Sequence, residues 1–542
     1  MPMPALFHQV LDPAHNLGLS SLLALVPVLV LLVMLAGLRV TAWLATVIGS
    51  AVTVLLAVTA WHAPVGSTMR AYLYGSLTGV LAVDWITFWG VVIFNTLVVT
   101  GLFTVLRRWL VSHATADVRV QTMLLAWAFG ALLEGLVGFG YPWAVVAPIL
   151  VGLGIAELDA IRVAAIANNA PVSYGALGAP IIGLAAVTGL PLFTLAASVG
   201  RVVAVLALLP PWILIYLVSG RRGLRDGWPL AIVGSLGYIA GQLPISQFFG
   251  PYLPDVVGSL TCFAALLLLL RFWQPREVLG YRGVPVTGAS RTARSEGEPL
   301  QTQQVIAAVL PFLILIAVVV AWTGPWSSRF AGYVIHKYTV TAGSSIPHAK
   351  AVAATFNLSP FIAGTAILTA WVVIMLVLRP TGGEVAQVFR RTFAQMWGAL
   401  LVGVFIFGLA FVFNFAGLGN SLAYGFSRIG KPFILLAPIL GWIGVALSGS
   451  NTSTNALFGG FQLTIGRLLH FPVTLLPTLN SVGAEVGKPV APQTASVGVS
   501  TSRYVRNEGV VIRHNLAWTL VLLAYLVVIG LVFYEVAPQA FR

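Results

Sequence analysis

The sequence predicts an all-α polytopic membrane protein with about twelve transmembrane helices and two re-entrant hairpins, arranged as two inverted repeats. Three observations lead there. The chain is 58% hydrophobic and 8% charged, against about 25% charged residues in soluble domains. Apolar runs too short to cross a bilayer flank breaks rich in glycine or hydroxyl side chains. A similar succession, a broken hairpin followed by a broken span, occurs in each half.

The stretch ALLEGLVGFGYPWAVVAPILVGLGI, residues 131–155, organises the first half. It is apolar, yet it holds Glu134, followed by Gly135, Gly138, Gly140, Tyr141 and Pro142. Glycine widens the backbone's choices and proline removes a donor, so a helix unwinds here. The runs 122–134 and 143–155 have 13 residues each, so each reaches ~20 Å at 1.5 Å per residue. That falls short of the ~30 Å hydrocarbon core. Region 122–155 therefore reads as a re-entrant hairpin with its glycine-rich tip inside the membrane. Unwound backbone at that depth is tolerated only inside protein or along a cavity. An ionisable side chain there marks a functional site.

In chain order, 19–36 and 41–61 read as plain spans with Arg39 between them. The first of these follows no basic n-region and precedes no cleavage motif, so it reads as a retained span. The less apolar 71–83 is expected at the interface, and 84–106 as a third span beginning at Asp84. After the first hairpin, 160–188 is a span interrupted by NNAPVSYGALGAP. Spans 190–219, which contains Arg201, 229–247 and 252–270 complete an N-terminal half, residues 1–273. Residues 274–304 turn polar and read as a flexible cytoplasmic linker. The C-terminal half, 305–542, opens with span 305–322 and a polar loop, 323–357, holding His336 and His348. Spans 358–378 and 397–416 follow. Region 433–469, broken at SGSNTSTN, is the second hairpin. Region 471–504 is broken at NSVGAEVGKPVAPQ, and 516–536 is the last span.

The net charge of +14 would point a soluble protein towards nucleic acid. Here the basic residues sit mostly in short connections, as the positive-inside rule requires. With the amino terminus outside, Arg39, Arg107, Arg221, Arg390 and Arg503 all fall inside, and the two hairpins enter from opposite faces. The partners expected are the lipid bilayer and a small solute, with no nucleic acid. The single cysteine, Cys262, excludes an intramolecular disulfide, and neither histidine pattern has metal-ligand spacing. No HExxH motif and no Ser/His or Cys/His pair shares these segments, which argues against an enzyme.

Asn168 precedes Gly175 by seven residues and Pro180 by twelve; Asn480 stands in the same relation to Gly487 and Pro492. Paired interrupted segments in corresponding positions are the best sequence pointer to a transporter's midplane site. A channel also uses broken helices, but predicts flux without saturation or proton coupling.

These segments carry a resemblance. LLEGLVGFGYP (132–142), NNAPVSYGALGAPI (168–181), GPYLPDVVGSL (250–260), SGSNTSTNALFGGFQ (448–462) and GKPVAPQ (487–493) resemble the L-lactate permease family along nearly the whole chain. The resemblance implies proton-coupled uptake of 2-hydroxymonocarboxylates through the bacterial plasma membrane, with paired hairpins in inverted repeats and no cofactor. It also has departures. Asn451 stands where the family usually has Asp, Tyr141 where it often has Ala, and Glu485, near the second break, where it has Val or a similar apolar residue. Asn169, Ser173 and Tyr174 also differ. Another organic anion such as a dicarboxylate, or sodium as coupling ion, is the alternative.

A small carboxylate needs helix amino ends, hydroxyls, amides or a cation. Asn168, Asn169, Ser173 and Gly175 offer these in one half. Ser450, Asn451, Thr452, Ser453, Asn455, Asn480, Lys488 and Gln493 offer them in the other. Lys488 reads either as a direct ligand or as a counter-charge. Arg201 reads either as a ligand or as part of a buried structural ion pair. Glu134 is the first choice for proton coupling. Glu485, three residues before Lys488, is the second; on a persisting helical turn the two would pair, and the acid absent at Asn451 would then be relocated to Glu485.

Overall fold

A computed structural model describes the chain except residues 1–5, 39, 114, 139, 287–299, 324–325, 327–332, 347–350, 501 and 506. It is predominantly helical. Among the described residues, eight helices are long and apolar enough to cross a membrane, or nine when the bent pair Glu157–Ala167 and Val172–Thr188 counts as one span.

The expected breaks are present. In the first hairpin region, helical turns from Val118–Gln121 through Thr122–Ala128 and Phe129–Leu136 end at the glycines, and Tyr141–Gly152 returns against them. Gly138 and Gly140 take φ of 66° and 77°, a left-handed geometry that suits glycine. In the second, Phe433–Ser448 and Asn451–Leu468 pack on each other across Gly449 and Ser450. Ser450 caps the second arm, its hydroxyl accepting from Ser453 N at 3.2 Å.

The first broken segment bends by 66° between Glu157–Ala167 and Val172–Thr188. Ala176 and Leu177 lie in the left-handed region at φ 47° and 57°, a strain of roughly 1–3 kcal/mol each. The second broken segment runs Leu475–Gly487, a tight turn Lys488–Val490, then Pro492–Gly498. The two sets interlock: Gly175–Thr188 packs on Asn451–Leu468, and Leu475–Gly487 packs on both arms of the second hairpin. Close approach is permitted by small residues; a Cβ on Gly483 would lie 2.1 Å from the Pro438 carbonyl oxygen.

Several expectations are corrected. Residues 71–83 do not stand apart from the following span, because one helix runs Val65–Val99 and places Asp84 in its middle. A π-helical segment, Gly79–Asp84, interrupts its regular pitch. Arg390 and Arg391 lie on the continuous helix Gly382–Ala416, which starts at a Thr381–Glu384 capping box rather than at residue 397. The fold is not wholly α. Within the loop 323–357, β2 (His336–Gly343) pairs antiparallel with β3 (Val352–Leu358), while β1 (Phe7–His8) joins β2 in parallel. Threonine, valine and aromatic residues in YTVTAG and VAATF favour that pairing. His336 is exposed on β2, and His348 lies outside the described residues.

The start of the linker is docked rather than loose. Leu279 N donates to Asp117 Oδ2 (3.0 Å) and Val118 N to the Leu279 carbonyl (2.8 Å). Arg119, fully buried, bonds Asp117 at 2.7 Å and the Glu277 carbonyl at 2.8 Å. A buried guanidinium needs such partners, and the linker supplies one.

Candidate functional site

Glu134 lies in the last turn of the helix Phe129–Leu136, before the glycine break, and Lys488 lies in the tight turn of the second broken segment. Their side chains are 1% and 5% exposed, and Lys488 Nζ donates to Glu134 Oε1. Asn168 Nδ2 donates to the other carboxylate oxygen at 3.0 Å. Gly175 makes room, since a Cβ there would lie 2.6 Å from Glu134 Oε1. One contact thus joins a hairpin and both broken segments, with one charge from each half. In so dry a setting, removing either partner strands a charge at about 3–5 kcal/mol.

The pairing differs from the one expected of Glu485. Its Oε2 accepts from Ser173 N at 3.1 Å, and its Oε1 has no hydrogen-bond partner among the described residues. The helix stops at Gly487, and Lys488 reaches across to Glu134. Glu485 is 0% exposed and does not line the cavity described next. The acid absent at Asn451 is therefore not replaced on the cavity wall by Glu485.

Beside the ion pair lies a cavity of about 80 Å³, lined by Glu134, Lys488, Gly175, Gln493 and the Ser450–Ser453 turn. With on the order of 10–15 Å³ of such volume per water, it takes a few waters or one acid of five or six heavy atoms. The amino end of Asn451–Leu468 opens onto it, an arrangement that favours anions. Both amide atoms of Asn451 are buried and have no hydrogen-bond partner among the described residues. Val402, Ile406 and Phe407 form an apolar wall.

Other expected residues stand behind this surface. Asn455 Nδ2 donates to the Pro180 carbonyl (3.0 Å) and Ser481 Oγ (2.9 Å), and its Oδ1 accepts from Asn480 Nδ2 (3.0 Å). These two asparagines brace the meeting of the halves. Asn169 and Ser173 are buried and do not line the cavity. Tyr141 points away, its hydroxyl accepting from Gln395 Nε2 at 2.7 Å. Arg201 is not brought to the site: it donates to the Ala540 carbonyl and so tethers the carboxyl-terminal turn.

A family model described as L-lactate permease matches residues 20–537. The chain belongs to the L-lactate permease family. It is 33% identical to the glycolate permease GlcA of Escherichia coli K12, covering 96% of this chain and 97% of that one. It is 32% identical to the L-lactate permeases of E. coli K12 and Bacillus subtilis 168, each covering 95% of this chain and 96% of the relative. This member of the family is accordingly a multi-pass membrane transporter.

The permease site also contains a residue that the sequence reading set aside. Asp84 lines the cavity from the long helix Val65–Val99. The signal was available: an acid inside a helix whose other charge, Arg70, lies near its start, and which reads as interfacial only if the helix is taken to start at Asp84. On the side of the β-sheet, a second, open vestibule of about 1610 Å³ includes Lys337, Arg467 and His470 in its lining. Phe407 and Thr452, on the wall of the smaller cavity, pack on Gly183, where a Cβ would meet them at 3.0 and 3.2 Å.

Proposed function

We propose that this transporter imports a small 2-hydroxymonocarboxylate, L-lactate with D-lactate and glycolate in range, by proton symport with alternating access across a bacterial plasma membrane. The observation that carries the reading is the Glu134–Lys488 pair on the wall of the cavity. In the empty site, Glu134 neutralises Lys488. An arriving carboxylate takes the ammonium, helped by Asn451 and the amino end of its helix. Glu134 is then left in a dry site without its cation and takes up a proton. Occupancy and protonation therefore favour one another, as reciprocal linkage demands. On the other face, loss of the proton restores the Glu134–Lys488 pair and expels the anion.

The architecture we infer is about twelve crossings, with halves 1–273 and 305–542 as inverted repeats around the linker 274–304. Regions 122–155 and 433–469 are re-entrant hairpins whose tips meet near the midplane. Supporting this are the arms paired across the breaks at Gly138–Gly140 and Gly449–Ser450 and the cross-packing of the two broken segments. One ammonium at the cavity suits one carboxylate, which favours a monocarboxylate over a dicarboxylate. Relatives of similar length named for glycolate and L-lactate support the same range.

Counterflow and uptake in proteoliposomes test the reading, with a panel of mono- and dicarboxylates, an imposed pH gradient, and sodium present or absent. Saturable L-lactate or glycolate uptake driven by the pH gradient alone is expected. Sodium dependence, or non-saturating flux, would overturn it.

A further inference from the structure

Two cavity-lining side chains carry buried polar atoms with no hydrogen-bond partner among the described residues: Asn451, through both amide atoms, and Asp84, through Oδ2. Asn451 sits at the anion-favouring helix end. Asp84 poses the sharper question, since a second carboxylate beside an anion site is costly unless it binds something.

Asp84 is not there for want of alternatives. It is 8% exposed and closes a π-helical segment, Gly79–Asp84, an irregularity frequent at functional sites. The facing helix makes room for it at Gly403, where a Cβ would lie 2.3 Å from both carboxylate oxygens. One turn on, Thr87 also lines the cavity, but its hydroxyl is committed to the Val83 carbonyl at 2.8 Å. The cavity's ammonium is committed to Glu134. Of the helices packed on this segment, Gly175–Thr188 and Ala363–Leu378 carry no ionisable side chain. Arg390 and Arg391 of Gly382–Ala416 lie at least three helical turns from Gly403, about 18 Å at 1.5 Å per residue. Arg70, on Asp84's own helix, is fourteen residues away, about 21 Å at 1.5 Å per residue; among the described residues Asp84 thus has neither a cation nor a donor, while it lines the cavity.

A 2-hydroxy acid has two polar ends. Its carboxylate requires a cation and donors, which Lys488 and Asn451 offer. Its hydroxyl requires an acceptor, and the apolar wall of Val402, Ile406 and Phe407 offers none. We propose that Asp84 is the specificity residue that accepts a hydrogen bond from the substrate's 2-hydroxyl group. The assignment rests on the 2-hydroxy-acid reading above. A site built to bond a hydroxyl rejects the analogue lacking it, because its own buried group then stays unpaired.

The test is transport kinetics of the full-length protein in proteoliposomes, using L-lactate against propionate and glycolate against acetate. Each pair differs only by the 2-hydroxyl. Wild type is expected to favour the hydroxy acid by tenfold or more in kcat/KM. Asp84→Val should cut that preference by at least tenfold, mainly through a higher KM for the hydroxy acids, with the deoxy acids little changed. Asp84→Asn retains an acceptor and should fall between the two. Gly403→Ala, which displaces the carboxylate without altering it, should erode the same preference and guards against a misfolded Asp84 variant. An unchanged preference in Asp84→Val, or an equal loss for both members of each pair, overturns the assignment. So does Asp84→Asn losing pH-driven accumulation with its preference intact, which would make Asp84 a proton carrier. Failure of wild type to transport any 2-hydroxy acid would instead remove the functional reading on which the assignment rests.

Discussion

Replacing Glu134 by Gln keeps the shape of the side chain and removes its charge and its proton chemistry. In wild type the substrate must displace a charge-assisted hydrogen bond between Glu134 and Lys488. Such a bond is worth about 1.5–3 kcal/mol net, roughly a 10- to 100-fold handicap on binding at 1.4 kcal/mol per tenfold. The variant relaxes that competition, so KM for L-lactate in exchange should hold or fall. Accumulation should fail. With one proton per substrate, a gradient of one pH unit supports about tenfold accumulation, since one unit is worth 1.36 kcal/mol; the variant should reach only equilibration. Lys488, 5% exposed, would meanwhile lack a counter-charge in the empty site, at about 3–5 kcal/mol. The substrate-free variant should therefore unfold at a lower temperature in detergent, and saturating L-lactate should restore much of the loss by mass action. The assay compares pH-driven uptake with counterflow on the same vesicles. Tenfold accumulation with wild-type pH dependence in the Gln variant would refute the mechanism.

Further predictions follow from the packing. Gly175→Ala places a methyl group 2.6 Å from Glu134 Oε1, an overpacking of roughly 1–3 kcal/mol; it should disturb the ion pair and shift the pH profile of uptake, and a wild-type profile would count against the arrangement. Asn455→Ala strands the Pro180 carbonyl and Asn480 Nδ2 at about 1–3 kcal/mol for each buried group. Its thermal midpoint should drop while the pH profile of the remaining uptake stays that of wild type; an unchanged midpoint would show that this brace does not hold the halves together.

Composition alone determined that this chain belongs in a membrane, because 8% charge and 58% apolar residues leave no polar surface for a soluble fold. The breaks were legible as well. Glycine and proline act locally, so Gly138, Gly140 and the turn at Gly449 and Ser450 mark where helices stop whatever surrounds them. Glu134 and Lys488 were legible as anomalies, since a charge in an apolar run has to be accounted for. Their pairing was not. Lys488 is three residues from Glu485 and 354 from Glu134, and local spacing favours the wrong partner; only the interlocking of the two broken segments brings the right one within reach. Asp84 was misread for a related reason, as its depth depends on the helix continuing back to Val65, and the π-helical segment that turns it into the cavity leaves no periodic signature. Arg201 was left between ligand and structural ion pair, because an arginine in an apolar run needs a partner that spacing does not name; the last residues of the chain fold back and supply a carbonyl. Sequence fixes which groups are costly to bury; tertiary contacts decide which of them meet, because the partners that make burial tolerable come from segments hundreds of residues apart.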